Sequence, residues 1–331
     1  MEECTPSNFL STKTGLAYSS RAIALCSLPI ELLTFYCILK KTPEAMRSVK
    51  SSLLNLNFWY LFSGMTLSFL MTPFLFNPHP GFFFVGPLTD FGVSTDIQNF
   101  LVYLVNLGLL LSILMLYENR SSLIFNIIFR LKSMKPRSIW LAINIVLNIG
   151  LTTPMNWNVP DPNKAKLDFM KNFPCPPKEL FDEPVIFLAY EGFWVSYIQI
   201  TSLLLNGAFI LQIFLFSSCC IYYLFHAKSC HLSPEIRRLQ VRSFYATVIQ
   251  TVIPMVLVTV PNVMMVGKQD NQVYDQTKNT ISYLLLMLHK GIGSLAIIVV
   301  HYSYRNFVFG CFKCGKRREV VPYSTDPSNK L

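Results

Sequence analysis

The chain has 331 residues, 52% hydrophobic and only 14% charged, with a net charge of +10. Soluble domains carry about 25% charged residues, so this composition excludes an ordinary soluble protein. It also argues against a nucleic-acid binder, because Lys and Arg flank apolar runs and form no continuous basic stripe.

Residues 1–15 contain Glu2 and Glu3 and no basic leader, so no cleavable signal peptide is expected. Apolar runs long enough to cross a bilayer follow at 16–39, 51–76, 95–117, 139–157, 192–225, 243–267 and 280–302. The first is expected to act as an uncleaved signal anchor. The fifth is overlong, which leaves a later start open. Alternating strands of membrane-barrel length are absent, and only helices or closed barrels satisfy backbone groups in lipid. The expectation is an all-α membrane protein, a seven-transmembrane helix bundle over 16–302, with a tail at 303–331.

The charges orient the bundle. Segments 40–50, 118–138, 226–242 and the tail hold 19 of the 28 Lys and Arg, the opposite set holds 7, and Arg21 and Lys290 lie within spans. Basic short loops stay cytoplasmic. The N-terminus is therefore expected outside and the C-terminus in the cytoplasm.

Of the segments expected outside, 77–94 has no basic residue. The longest, 158–191, contains Pro160, Pro162, Pro174, Pro176, Pro177 and Pro184 and nearly balanced charges. A lid over a pocket and a solvated connector are both consistent with it. Only Cys4 and Cys175 would face an oxidising compartment, which makes them a candidate disulfide. Cys311 and Cys314 lack the second pair that zinc requires, so no metal site follows. Palmitoylation or free thiols suit a juxtamembrane position better. Phe307, Phe309 and Phe312 among Arg305, Lys313 and Lys316 point to a short amphipathic helix along the inner leaflet.

Polar residues inside spans are costly and are usually turned inward. Arg21 is near enough to the outer end to snorkel. Glu31 and Lys290 lie deeper, on helices adjacent in a seven-helix ring, and are a candidate ion pair. A neutral Lys290 bonded to backbone is the alternative. A lysine in a seventh span also admits a retinal Schiff base, but nothing else supports that cofactor, so none is expected. Prolines at 29, 73, 154, 254 and 261 break helical hydrogen bonds. Pro254 and Pro261, seven apart in the sixth span, are candidate hinge residues. Gln98, Tyr103, Asn106, Gln199, Asn206, Gln250 and Lys290 are candidate ligand-pocket groups, although interhelical glue is the commoner role for each.

The motifs, taken in order, resemble the nematode serpentine chemoreceptors, most closely class H. The resemblance covers nearly the whole chain: Cys4, Tyr36-Cys37-Ile38-Leu39, Thr42-Pro43, Met46, Ser48-Val49-Lys50 and Leu53-Leu54-Asn55-Leu56 come first. Tyr117-Glu118-Asn119-Arg120 follows, then Gln250, Ile253-Pro254 and Pro261, then His301, Tyr304 and Arg305. Three positions depart from the pattern: Asn57 stands where a His is expected, Lys290 precedes Gly291 in place of His-Gly, and Ser303 replaces a Pro. The resemblance implies a G-protein-coupled receptor in sensory-neuron membranes, with a small environmental chemical as ligand and a heterotrimeric G protein as partner. Glu118, Asn119 and Arg120, the basic Arg237 and Arg238, and Tyr304 and Arg305 are then the coupling and switch residues.

Two other functional classes fit these residues less well. His79, His226, His231, His289 and His301 are scattered over both faces with no HxxxH or HExxH spacing, which argues against an intramembrane enzyme. A transporter or channel needs a polar file through several spans, and Asn144, Asn148 and Gln212 are too sparse to line one.

Overall fold

The computed structural model describes residues 8–122, 133–157, 160–173, 176–189, 192–226, 234–266 and 274–313. The apolar runs satisfy their backbone groups within themselves as helices. Helix α1 spans Lys13–Lys41; Thr12 caps it by accepting from the Gly15 N–H at 3.0 Å, and Lys40 and Lys41 complement its last turn. Helix α2 spans Arg47–Met65 and continues as a π-turn over Thr66–Leu70.

There the chain departs from the all-α expectation. Strand β1 (Thr72–Leu75) pairs antiparallel with β2 (Gly81–Val85), with Phe74 opposite Phe83. Strand β3 (Ile186–Phe187) joins the far side of β2. The helix expected to reach residue 76 ends early because Pro73 has no N–H to donate and biases Thr72 away from helical geometry. Pro73 is tolerated where it sits, on the edge strand of the sheet.

The remaining helices are α3 (Pro87–Asp90), α4 (Thr95–Ser122), α5 (Met134–Trp157), α6 (Pro162–Asn172), α7 (Glu179–Asp182), α8 (Phe193–Ile221), α9 (Pro234–Val266), α10 (Gln276–Val300) and α11 (Tyr302–Lys313). A π-turn over Tyr222–His226 extends α8. Five helices are long and apolar enough to cross a membrane: Lys13–Lys41, Thr95–Ser122, Met134–Asn156, Phe193–Phe225 and Gln276–Val300. Helix α2 falls outside that set, with Arg47 and Lys50 in its first turns, and α9 opens on a charged stretch before the apolar run Phe244–Val258. Helices α5 and α8 turn Val146, Leu147, Leu203 and Phe214 outward, as lipid-facing helices do.

Small residues set the closest approaches. A Cβ on Gly108 of α4 would lie 2.3 Å from the Trp59 ring of α2, and one on Gly291 of α10 would lie 2.4 Å from Ser27 Oγ of α1.

Segment 158–191 is a packed cap, not a solvated connector, wherever it is described. Phe169 and Phe173 of α6, Leu180 of α7 and Phe187 of β3 are buried with Phe74, Phe76 and Phe83 of the sheet and with Tyr283 and Met287 of α10. Lys13 pairs with Glu183, and its backbone N–H donates to Glu179 at 3.2 Å, so the start of α1 is tied to the cap. At the opposite end, Ile38, Leu53, Tyr60, Leu116, Ile297 and Tyr304 form a second core joining α1, α2, α4, α10 and α11. Phe307 of α11 stacks toward Tyr36, with the Lys41 ammonium 4.3 Å from its ring.

Candidate functional site

The motif Glu118-Asn119-Arg120 ends α4 and ties it to three different neighbours. Successive residues of a helix point about 100° apart, and residues two apart do not face each other. Glu118 and Arg120 therefore diverge. Glu118 accepts from Arg137 Nη2 of α5 at 2.8 Å, and Arg137 also donates to Ser122 Oγ at 3.2 Å. Asn119 donates to the Ser48 carbonyl at the start of α2, at 3.0 Å. Arg120 is buried, and its Nε donates to Thr247 Oγ1 of α9 at 2.9 Å.

Thr247, Gln250 and Thr251 share a face of α9, and all three are buried. Gln250 Oε1 lies 3.2 Å from His301 Nε2, which links α9 to the junction of α10 and α11. Tyr304 is fully buried, and its hydroxyl shares a hydrogen bond with Thr42 Oγ1 at 2.8 Å. Arg305 donates to the Val299 carbonyl at 3.1 Å. Arg237 Nε donates to the Leu224 carbonyl at 2.7 Å, while Arg238 is exposed on the first turns of α9. One polar layer thus joins α2, α4, α5, α9 and α10 at a single end of the bundle.

The family model for the serpentine-type seven-transmembrane G-protein-coupled chemoreceptors, Srh, matches residues 11–314. The chain belongs to this family. Serpentine receptor class H-72 of Caenorhabditis elegans is 40% identical to it over 321 residues, which cover 97% of this chain and 92% of that relative. The protein is thus a mostly helical, multi-pass membrane protein of a chemoreceptor family and not an enzyme.

Two of the positions that depart from the motif pattern sit together in the core of this Srh-family chain. Asn57 donates to the Glu31 carbonyl at 3.1 Å and accepts from Ser294 Oγ at 2.8 Å. Lys290 donates to the Ser63 carbonyl at 3.3 Å and touches Met287 Sδ. Glu31 and Lys290 line one cavity of about 10 Å³ between α1, α2 and α10, but they are not among the ion pairs within 4 Å in the described residues. Of the two readings open for Lys290, the bond to backbone is the one this geometry matches, with the Ser63 carbonyl nearer than the Glu31 carboxylate. The cavity is far below the several hundred Å³ of a typical ligand pocket.

The candidate pocket residues separate in space. Gln98 is buried and bonded to the Val93 carbonyl and Thr89, so it fastens the α3–α4 turn. Gln250 belongs to the polar layer beside Arg120, and Lys290 to the small cavity. Tyr103 is hydrogen-bonded to Asn99, which donates to Asn156 of α5 at 2.6 Å. Asn106 of α4 and Gln199 and Asn206 of α8 are exposed within their spans. Gln212 bonds both Trp140 (2.7 Å) and Asn144 (2.9 Å), so these polar groups fasten α5 to α8 and line no conduction path.

Pro254 and Pro261 both lie within α9, whose helix runs through them. Cys4 and Cys175, the candidate disulfide, lie outside the described residues, as does Cys314. Sequence reasoning missed Arg137 and Thr247. Arg137 was legible as a basic residue in the first turn of α5, one position after a proline suited to a helix start. Thr247 carried no signal beyond being a hydroxyl in an apolar span.

Proposed function

We propose that this chain is a chemosensory receptor of the plasma membrane, with its N-terminus outside and its C-terminus in the cytoplasm. It crosses the bilayer seven times when α2 and α9 are counted with the five long apolar helices. It binds a small environmental chemical and activates a heterotrimeric G protein, and a sensory-neuron cilium suits that role. The observation that carries the reading is the Arg120–Thr247 bond, which holds α4 to α9 at the end of the bundle where basic residues gather. Arg238, Arg305 and Arg120 are the cations available there to an acidic partner once α9 moves. Pro254 and Pro261 weaken the hydrogen-bond ladder in the second half of α9 and suit a hinge.

The test is ligand-dependent guanine-nucleotide exchange on a heterotrimeric G protein, driven by the receptor in a heterologous cell against a panel of small environmental chemicals. Arg120→Ala is expected to abolish the response at equal surface level; a normal response would remove Arg120 from the coupling role. Ion currents in the absence of any G protein would instead favour a channel.

A further inference from the structure

Helices α8 and α9 touch at one end and part above it. On α8, Gln199, Asn206, Ile213 and Cys220 recur every seven residues and share one face. Cys220 is buried against Phe244 of α9. Asn206, about 21 Å further along at 1.5 Å per residue, is exposed, as is Gln199. On α9, Val248 packs beside the same Cys220 cluster. Val252 and Val256, one and two turns beyond it on that face, are 47% and 54% exposed.

Helix α4 gives the third wall. Asn106 lies about four turns before Arg120, hence roughly 21 Å from the Arg120–Thr247 contact and level with Asn206. It is exposed although Val105 and Leu107 on either side are buried. The aromatic cap packs onto Leu101 and Val102 of α4 and Ile198 of α8, just above this crevice. The cap covers that end, whereas the side between α8 and α9 faces the hydrocarbon.

We propose that the crevice between α4, α8 and α9 is entered sideways, through the parting of α8 and α9, by a ligand dissolved in the bilayer. This rests on the receptor reading and names its ligand class: a neutral, largely apolar molecule carrying one or two hydrogen-bonding groups. The exposed side chains of the two helices are aliphatic, with Leu203 and Ile210 on α8 and Val252 and Val256 on α9. The polar groups exposed on α4 and α8 there are the uncharged amides of Asn106, Gln199 and Asn206, of which Asn206 also donates to its own Ser202 carbonyl at 2.8 Å. They match a hydroxyl or carbonyl, and they would leave a carboxylate or ammonium without a counter-charge. An ion would also have to cross the hydrocarbon to arrive.

The experiment uses the full-length receptor in liposomes. It is photolabelled with a bilayer-partitioning aryl diazirine and, separately, with a water-soluble diazirine, and adducts are mapped by mass spectrometry. The bilayer reagent is expected to modify the stretch around Asn106. The double variant Val252→Trp, Val256→Trp should cut that adduct severalfold and leave labelling at the lipid-facing Val146 of α5 unchanged. Labelling around Asn106 by the water-soluble reagent alone overturns the proposal, as does labelling by neither reagent or bilayer labelling that ignores the rim tryptophans. None of these outcomes depends on G-protein activation, so failure of the receptor reading is detected separately.

Discussion

Thr247→Val tests the contact that holds α4 to α9. Valine keeps the shape of threonine and removes the hydroxyl that accepts from Arg120 Nε at 2.9 Å. Thr247 is 0% and Arg120 7% exposed, so bulk water is poorly placed to replace the lost bond. A hydrogen bond to a charged group contributes about 1.5–3 kcal/mol, which is roughly a 10- to 150-fold change in an equilibrium. If the bond exists only while α4 and α9 are together, its loss multiplies the separated population by that factor. A state populated at about 1% then reaches at least roughly a tenth of the molecules. The assay is ligand-free guanine-nucleotide exchange on a co-reconstituted G protein at equal receptor amounts. Thr247→Val should raise basal exchange about tenfold or more by this arithmetic, and Thr247→Ser, which keeps an acceptor, should stay close to the parent. Equal behaviour of the two variants, or no rise with valine, would refute the reasoning.

Glu118→Gln leaves Arg137 without its carboxylate at a site where the Glu118 side chain is only 3% exposed. A loss of about 1.5–3 kcal/mol is expected, read as a lower thermal midpoint in detergent; the exchanged pair Glu118→Arg, Arg137→Glu should recover part of it. Gly108→Ala drives a Cβ to within 2.3 Å of the Trp59 ring. Overpacking of this kind costs about 1–3 kcal/mol, and adding Trp59→Leu should restore surface expression; a harmless Gly108→Ala would mean that α2 and α4 are not in this contact. His79 lies under the Phe169 and Phe173 rings, with centroids 5.4 and 5.8 Å away, and burial lowers its pKa from 6.5 against the opposing pull of Asp168. The packed cap therefore favours the neutral form of His79, and a detached cap takes up a proton more readily. Its contribution is complete above the ordinary value and falls as pH drops below it. Protection of the β1–β2 amides from hydrogen exchange, corrected for intrinsic rates, should weaken between about pH 7.5 and about pH 5, and His79→Phe should flatten that dependence.

The helices were legible because a run of twenty apolar residues in lipid has few other solutions. The sheet was not, because residues 71–76 are as apolar as the span before them and read as its continuation. Signals for it were present: Pro73, and the run Gly81-Phe82-Phe83-Phe84-Val85 between Pro80 and Gly86-Pro87, which has strand composition between turn residues. At the site, Glu118, Asn119 and Arg120 could be singled out from one stretch of chain, but their partners could not. Arg120 and Thr247 are 127 residues apart, and threonines are common in spans. The candidate pocket amides fell into three environments because an amide facing a crevice, an amide fastening a turn and an amide bonding a histidine look alike in sequence. Only the heptad spacing of Gln199 and Asn206 with Cys220 marked a shared face, and it takes the Cys220–Phe244 contact to say what that face meets.

The α4 stripe bears on how a bound ligand reaches the opposite end. Asn106, Leu110, Ile113, Tyr117 and Arg120 follow one another three or four residues apart, so the residue at the crevice and the residue on Thr247 share a face. That continuity does not by itself couple them. A ligand filling only the space between α4 and α8 would bind equally well whether or not α9 has moved, and equal affinity shifts no equilibrium. Coupling requires a ligand that also touches α9, and Val252 and Val256 are exposed there beyond the contact of Val248 with the Cys220 cluster. A force applied there acts on the segment holding Pro254, where the hydrogen-bond ladder is already interrupted, and α9 is restrained below it by Thr247 and Gln250. Ligand efficacy in this receptor should therefore follow contact with the Val252–Val256 face more closely than affinity for Asn106.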